Sequence, residues 1–226
     1  MSRRDAIAAG ALVLAAAALV PLDRGIDRAI RDTARPSYRR FKRQAVAMRP
    51  LQETVWFLAG LLLYGAGRLS GLSRLADLGL HLSAAEVVGA VLGHPWKWLV
   101  GRTRPSAPNP DPMRFRPLYG FRDVTYRSFP SLHMVGNFTA AAVLTAETSR
   151  WRPRSTRVVA PLTYGGAAYL GLLRMYDGAH WASDVIGGAA IGIFAGTVVV
   201  RYAHTHPRNP VDRWLLGTAP ATTADR

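Results

Sequence analysis

The sequence predicts an all-α protein, built as a six-helix transmembrane bundle. Apolar residues gather in six blocks, and arginines gather between the blocks. The last block carries glycines at spacings that permit close helix packing. The blocks span residues 6–20, 55–69, 75–93, 134–148, 158–173 and 185–200. They are not purely apolar, so a soluble all-helical bundle is the alternative.

The chain divides into three predicted regions: an N-terminal membrane helix with a basic segment (1–53), a catalytic helical core (54–202) and a polar C-terminal tail (203–226). Block 6–20 is short for a membrane span, at about 15 residues, and could also be a signal peptide. No sharp small-residue cleavage site follows it, which favours a retained helix. Block 75–93 contains Asp77, His81 and Glu86, so it is expected to face other helices.

The segment 21–53 is strongly basic. Leu22, Ile26 and Ile30 recur every four residues with arginines between them, which is typical of an amphipathic helix on a membrane surface. Pro36 is expected to interrupt this helix. The alternative is a solvated basic linker.

The net charge of +15 indicates anionic partners. No nucleic-acid-binding motif accompanies it, and the apolar blocks favour a membrane bilayer over nucleic acid. The chain has no cysteine, which excludes disulfides, thiol catalysis and cysteine-ligated metals. Lysine is rare beside arginine, and one of the two lysines, Lys97, lies between two tryptophans. No pattern indicates the oligomeric state.

Lys97 and Arg104 are the cations of a first polar motif, which Pro105 closes. They are two helical turns apart and would share a face if the third helix extended that far, with Pro105 ending it. Two such cations could bracket an oxyanion, although snorkelling cations at a helix end have the same pattern. Arg102 is interpreted as a surface or lipid-facing residue.

Ser131 and His133 form a second motif, directly before the fourth block. Serine is a good N-cap, and the free amides of a first helical turn can bind phosphate. His133 would lie beside the bound group. A capped helix with an incidental histidine is the alternative.

Arg174, His180 and Asp184 form the third motif. His180 and Asp184 are four residues apart and would stack on one helical face, so the carboxylate could fix the imidazole tautomer and leave a nucleophilic nitrogen. A surface pair at a helix start is the alternative. The neighbouring Asp177 is interpreted as a loop residue.

The order and spacing of these motifs resemble the type 2 phosphatidic acid phosphatase superfamily, over roughly residues 55–200. Its members include lipid phosphatases, bacterial acid phosphatases and vanadium haloperoxidases. The resemblance implies a metal-independent phosphatase with no cofactor, acting on a phosphorylated lipid. The implied phosphate-binding residues are Lys97, Arg104, Ser131, Leu132 and Arg174. The implied catalytic residues are His180 as nucleophile, His133 as acid and base, and Asp184 as the group that orients His180.

Two positions depart from the family pattern. Leu132 stands where glycine is usual, which keeps the amide but adds bulk, and Leu173 stands where serine is usual, which removes a hydrogen-bonding group. The alternatives to a lipid phosphatase are a non-catalytic phospholipid-binding membrane protein and a vanadate-dependent haloperoxidase.

The motifs are expected on one side of the membrane. The arginine-rich turn 150–157 lies on the other side, and the positive-inside rule makes that turn cytoplasmic. The sequence therefore predicts a multi-pass protein of the inner membrane with its active site facing the outside or periplasm. The basic segment 21–53 opposes this orientation.

Overall fold

The protein was analysed as a computed structural model that describes residues 3–206 and 209–216. Within these residues the structure is built from α-helices, short 3-10 turns and loops, with no β-strands. The helices are α1 (Arg3–Leu19), α2 (Asp23–Ile30), α3 (Pro36–Ala47), α4 (Glu53–Leu69), α5 (Ser73–Leu99), α6 (Leu132–Trp151), α7 (Thr156–Tyr176), α8 (Ala182–Thr205) and α9 (Pro210–Leu216). The predicted all-α class is confirmed.

Each of the six apolar blocks forms one helix: α1, α4, α5, α6, α7 and α8. The predicted extension of the third helix to Pro105 is wrong, because α5 ends at Leu99. Gly101 follows with φ of 60°, a left-handed conformation that glycine adopts without steric cost and that turns the chain out of the helix. Lys97 is therefore on α5, whereas Arg104 is in the loop beyond it.

The centre of the bundle is formed by α5, α6 and α8. Leu82, Ala140 and Val200 come from these three helices and pack in one buried cluster. Gly192 lies so close to α6 that a Cβ atom there would meet the backbone of Val135 and Thr139. The close helix packing expected from the glycine-rich last block is therefore present.

The basic segment is folded against the bundle, so the solvated-linker interpretation is wrong. Pro36 interrupts it as predicted and occupies the first turn of α3. The side chain of Arg31 donates a hydrogen bond to the Pro105 carbonyl (2.9 Å). Helices α2 and α3 thus lie at the end of the bundle that holds the three motifs.

The polar tail is partly helical. Helix α8 continues to Thr205, and α9 follows at Pro210–Leu216. The Tyr64 hydroxyl on α4 donates to the Leu215 carbonyl (2.6 Å), which fixes α9 against the bundle. The remaining tail residues, 207–208 and 217–226, lie outside the described part of the chain.

Two described helices, α5 and α8, have both the length and the apolar composition to cross a membrane. Helices α1 and α4 have 17 residues each, at the lower limit for a span, so the count of six spans is approximate. Several bundle helices also expose large apolar side chains, among them Leu62 (75%), Val91 (66%) and Leu162 (68%). Exposed apolar faces of this kind are typical of contact with lipid.

Candidate active site

A cavity of about 420 Å³ lies where α5 and α7 end and α6 begins. It is lined by Arg49, Gln52, Glu53, Lys97, Arg104, Ser106, Leu132, His133, Arg174, Asp177, Ala179 and His180. Six of the eight residues predicted from the sequence are in this lining. The other two, Ser131 and Asp184, are buried beside it. Residues from all three motifs therefore meet at one place.

Three cations face this cavity from different elements. Lys97 Nζ donates to the Arg127 carbonyl (2.9 Å). Arg174 donates to the Ala45 carbonyl (2.8 Å) and to Asp177 (3.1 Å). Arg104 Nε is buried and has no hydrogen-bond partner among the residues that the structure describes.

The environment of Arg104 is electrostatically unfavourable. Burial lowers the pKa of Arg104, and the negative charge of Asp184 offsets this only in part. An anion in the cavity would both pair with the guanidinium and accept a hydrogen bond from its free Nε. The arrangement is suited to an oxyanion.

His180 precedes α8 in the loop that leads into it, and its imidazole is held by a backbone group. Nδ1 lies 2.7 Å from the Ser128 carbonyl oxygen, which can only accept, so the proton is on Nδ1 and Nε2 carries the lone pair. Burial lowers the pKa of His180 well below 6.5, and the charges of Lys97 and Arg104 lower it further. The imidazole is therefore neutral at physiological pH and has a nitrogen available for attack.

The predicted direct hydrogen bond between Asp184 and His180 is wrong. Helix α8 begins at Ala182, so the two residues do not share a helical face. Asp184 Oδ2 instead accepts from the Ser128 hydroxyl (2.6 Å) and the Trp181 amide (2.9 Å). Asp184 thus acts on His180 indirectly, by fixing Ser128, whose carbonyl holds the imidazole.

Arg102 is a buried residue that binds side chains from two helices, and its interpretation as a surface or lipid-facing cation is wrong. Its side chain is 1% exposed. It donates to Asp184 (2.5 Å), Asp23 (2.6 Å) and the Ser183 hydroxyl (2.7 Å). Arg102 therefore connects the start of α2 with the start of α8, behind the cavity.

The second motif lies at the start of α6 as predicted, but the serine side chain does not cap the helix. Ser131 is the N-cap residue, but its hydroxyl makes no capping bond and is buried without a partner among the described residues. The Met134 and Val135 amides both donate to the Ser131 carbonyl (3.0 Å each), so the first-turn amides without an intrahelical acceptor are those of Leu132 and His133. A free hydroxyl and two such amides therefore lie together beside the cavity.

His133 faces the cavity from the first turn of α6. Its Nε2 lies 2.9 Å from the Arg49 carbonyl oxygen, an acceptor, so this nitrogen carries a proton. Arg174 Nη1 is 3.4 Å from the same nitrogen, which places a cation beside the ring.

The two departures from the family pattern differ in position. Leu132 lines the cavity, so its side chain narrows the space beside the helix start. Leu173 is fully buried and is not part of the lining. Of the two, only the leucine of the second motif alters the cavity itself.

Asp177 was interpreted from the sequence as a loop residue, but its carboxylate binds three cations in the structure. Its carboxylate accepts from Lys42 (2.9 Å), Arg49 (2.7 Å) and Arg174 (3.1 Å). Burial alone would raise the pKa of Asp177, but these hydrogen bonds and charges lower it to about 2. The contact with Arg174 could have been predicted from its i, i+3 spacing. The contacts with Lys42 and Arg49 join residues far apart in sequence.

Replacing Asp177 with asparagine is expected to lower the free energy of unfolding by about 1–2 kcal/mol at neutral pH, after allowance for water around Arg49. Because the folded pKa is depressed, this contribution is complete above the unfolded pKa of about 3.9 and is lost as pH falls towards 2. Denaturant unfolding of wild type and variant at about pH 7 and about pH 3 would measure it. Asp32→Asn, at an exposed pair with Arg35, is the control and should change stability by less than about 0.5 kcal/mol. Equal losses in the two variants would contradict the expectation.

Comparison with known proteins gives a family and a fold. Residues 74–208 match the sequence profile of the PAP2 superfamily. The fold is similar to the crystal structure of a transmembrane PAP2-type phosphatidylglycerolphosphate phosphatase from Bacillus subtilis, with a TM-score of 0.52 and 19% sequence identity over 89% of this chain and 97% of that chain. A search of curated protein sequences finds no significant match.

Proposed function

Because this chain belongs to the PAP2 superfamily, as its motifs indicated, we propose that it is an integral membrane phosphatase. It hydrolyses a lipid phosphate or diphosphate monoester through a phosphohistidine intermediate, without a metal ion. One observation carries the proposal: Lys97, Arg104 and Arg174 converge with two histidines on one cavity, and His180 has its Nδ1 tied to Ser128.

The cavity supplies charge and hydrogen bonds for a phosphate group. The three cations neutralise the nonbridging oxygens, and arginine can contact two of them at once. Arg104 Nε and Ser131 Oγ are buried polar atoms without partners, and a phosphate would satisfy both. The first-turn amides of α6 add further donors.

In the first step, Nε2 of His180 attacks phosphorus. The N–P bond forms as the bond from phosphorus to the lipid oxygen breaks, and His133, which enters this step as the imidazolium, gives one proton to that leaving oxygen and becomes neutral. The cations stabilise the charge on the transferring phosphoryl group, which is the role a metal has in other phosphatases.

In the second step, water attacks the phosphohistidine. His133, now the neutral imidazole, takes a proton from the water as the new P–O bond forms. The N–P bond breaks, its electron pair returns to Nε2 of His180, and inorganic phosphate leaves. Both histidines are then in their starting protonation states.

A second cavity supports a lipid substrate. It has a volume of about 330 Å³ and is lined mostly by apolar groups of α4, α6 and α7, including Trp56, Ala140 and Leu170. Asn137 also lines it and donates to the carbonyl of His133, one turn away (2.6 Å). A head group in the charged cavity could thus extend an acyl or prenyl chain into the apolar one.

The proposed location is the inner membrane, with the catalytic cavity outside. The α6–α7 turn carries Arg150, Arg152, Arg154 and Arg157 and is at the opposite end of the bundle; the positive-inside rule makes it cytoplasmic. The opposing charge of segment 21–53 is partly neutralised, since Asp27 pairs with Arg31 and Asp177 pairs with Lys42 and Arg49.

The pH profile should report the low pKa of His180. In wild type, kcat/KM is expected to fall at acid pH as His180 becomes protonated, and the midpoint of this acid limb is expected below pH 6.5. Lys97→Met removes a nearby positive charge, so the pKa of His180 should rise and this limb should move to higher pH, in addition to weaker substrate binding. The measurement is kcat/KM from about pH 4 to about pH 8 for wild type and Lys97→Met. Both proteins are assayed with the same lipid phosphate, so that ionisation of the substrate affects both profiles equally. An unmoved limb would assign it to another group.

Phosphate release from a panel of lipid phosphates tests the function. The purified protein should release inorganic phosphate with chelator present and should be inhibited by vanadate. Denaturing turnover mixtures in detergent at alkaline pH should trap a phosphoprotein that is stable to alkali and labile to acid. Tight binding of lipid phosphate without release would favour the phospholipid-binding alternative, and halide oxidation with vanadate and hydrogen peroxide would favour the haloperoxidase.

A further inference from the structure

A second cluster of polar side chains is buried at the end of the bundle opposite the catalytic cavity. His81 on α5, Glu147 on α6 and His204 on α8 meet there, with one ligand atom of each within 4.8 Å of the others. His81 Nδ1 is 2.7 Å from Glu147 Oε1, and His204 Nε2 is 2.9 and 3.1 Å from the two carboxylate oxygens. The side chain of Glu147 is fully buried, and that of His81 is 5% exposed.

The hydrogen bonds within this cluster leave one atom unsatisfied. His81 Nε2 is buried and has no hydrogen-bond partner within the described part of the chain. The closest acid to it is Asp212 on α9, at 3.8 Å. If Nδ1 donates to Glu147 in a neutral ring, Nε2 presents a lone pair towards the Asp212 carboxylate, which is unfavourable.

A metal ion on Nδ1 removes this conflict. His81 would then bind the ion with the Nδ1 lone pair and carry its proton on Nε2, directed towards Asp212. A ligating histidine whose other nitrogen donates to a carboxylate is the usual arrangement at protein metal sites. A doubly protonated His81, donating from Nδ1 to Glu147 and from Nε2 to Asp212, would remove the conflict as well. The case for a metal therefore rests on the three ligand atoms, from three helices, that lie within 4.8 Å of one another.

We propose that His81, Glu147 and His204 bind one divalent transition-metal ion. Two imidazoles and a carboxylate suit Zn²⁺, which takes such ligands in tetrahedral geometry, with water in the fourth position. The Glu147 carboxylate lies between both imidazoles, as a shared ligand of the same ion requires.

The ion has a structural role. It would join α5, α6 and α8 at one point and, through Asp212, hold α9. His81 and Lys97 are sixteen residues apart on α5, which is roughly 24 Å at 1.5 Å per residue. The ion is thus remote from phosphorus in the proposed reaction, and the metal site is independent of the catalytic proposal.

Zinc retention by the purified full-length chain tests the site. The chain should carry an affinity tag without histidine, be stripped with chelator, be incubated with Zn²⁺ and then be desalted. Wild type is expected to retain one Zn²⁺ per chain by elemental analysis and to unfold at a higher temperature than the stripped protein. Co²⁺ should give the visible absorption of a tetrahedral site. Phosphate release by the stripped protein, measured well below its unfolding temperature, should continue.

Variants identify the ligands. His204→Asn changes the most exposed ligand, at 23%, and should lower Zn²⁺ affinity at least tenfold and remove the Co²⁺ spectrum. Asp212→Asn should weaken binding about 10–100-fold. His206→Asn is the matched control, because His206 is an exposed histidine two residues further along whose ring is hydrogen-bonded only to Thr205 and Tyr202 among the described residues. This variant should bind like wild type. Equal binding by His204→Asn and His206→Asn, or no retention by wild type, would overturn the proposal and leave an ordinary ion-paired cluster.

Discussion

Replacing His180 with alanine is expected to abolish phosphate release, with a fall in kcat/KM of at least about 10⁴-fold. In the proposed reaction the Nε2 lone pair of His180 attacks phosphorus, and the variant lacks it. The cations and the helix amides remain, so lipid phosphate should still bind. The expected pattern is therefore loss of turnover and of the trapped phosphoprotein, with substrate affinity changed far less.

His180→Asn separates chemistry from folding. An asparagine amide can donate to the Ser128 carbonyl in place of Nδ1, whereas it has no nucleophilic nitrogen. This variant should unfold close to wild type and remain inactive. His206→Ala, at an exposed histidine, should keep full activity. Turnover by His180→Asn near the wild-type rate would refute the phosphohistidine route.

Replacing Arg102 with methionine is expected to destabilise the protein by about 3–5 kcal/mol, because two carboxylates, Asp23 and Asp184, would remain buried without their shared cation. Methionine fills much of the volume, so the loss reflects charge more than packing. Thermal and denaturant unfolding in detergent would measure it. Activity should fall as well, since Asp184 fixes Ser128 and thereby His180.

Arg122→Met is the matched control, since Arg122 is an exposed arginine of the same long loop; it should change stability by less than about 0.5 kcal/mol. In the Arg102→Met background, adding Asp23→Asn should restore part of the lost stability, because it removes one uncompensated charge. A loss of less than about 1 kcal/mol in Arg102→Met would show that the buried network is dispensable.

The helices were predictable because their signal is local. Apolar blocks between arginine-rich turns placed all six bundle helices, and Pro36 correctly marked the break between α2 and α3. The end of α5 was missed because Pro105 was a visible stop signal, whereas Gly101, the residue that turns the chain, has no distinctive neighbours.

The sequence predicted most of the residues that line the site, but it did not predict the hydrogen bonds and ion pairs that hold them in place. Six of the eight predicted residues line one cavity, because each motif carries its residues at the end of a helix or in the loop beside it. The residues that hold them were missed. Arg102 has its two carboxylate partners 79 and 82 residues away, and Asp177 has two of its three cation partners 128 and 135 residues away, and no short spacing reveals such pairs.

The buried network around Arg102 can be completed only late in synthesis of the chain. Asp23 is made early in synthesis and Arg102 later, but Ser183 and Asp184 belong to the last bundle helix. Contacts of such sequence separation are slow to form and complete only when the far segment arrives. A ribosome-bound or prematurely terminated chain ending with α7 at Tyr176 would therefore carry Lys97, Arg104 and Arg174 without His180. Under the proposed function, such a chain would be unable to cleave the lipids of the membrane into which it is inserted.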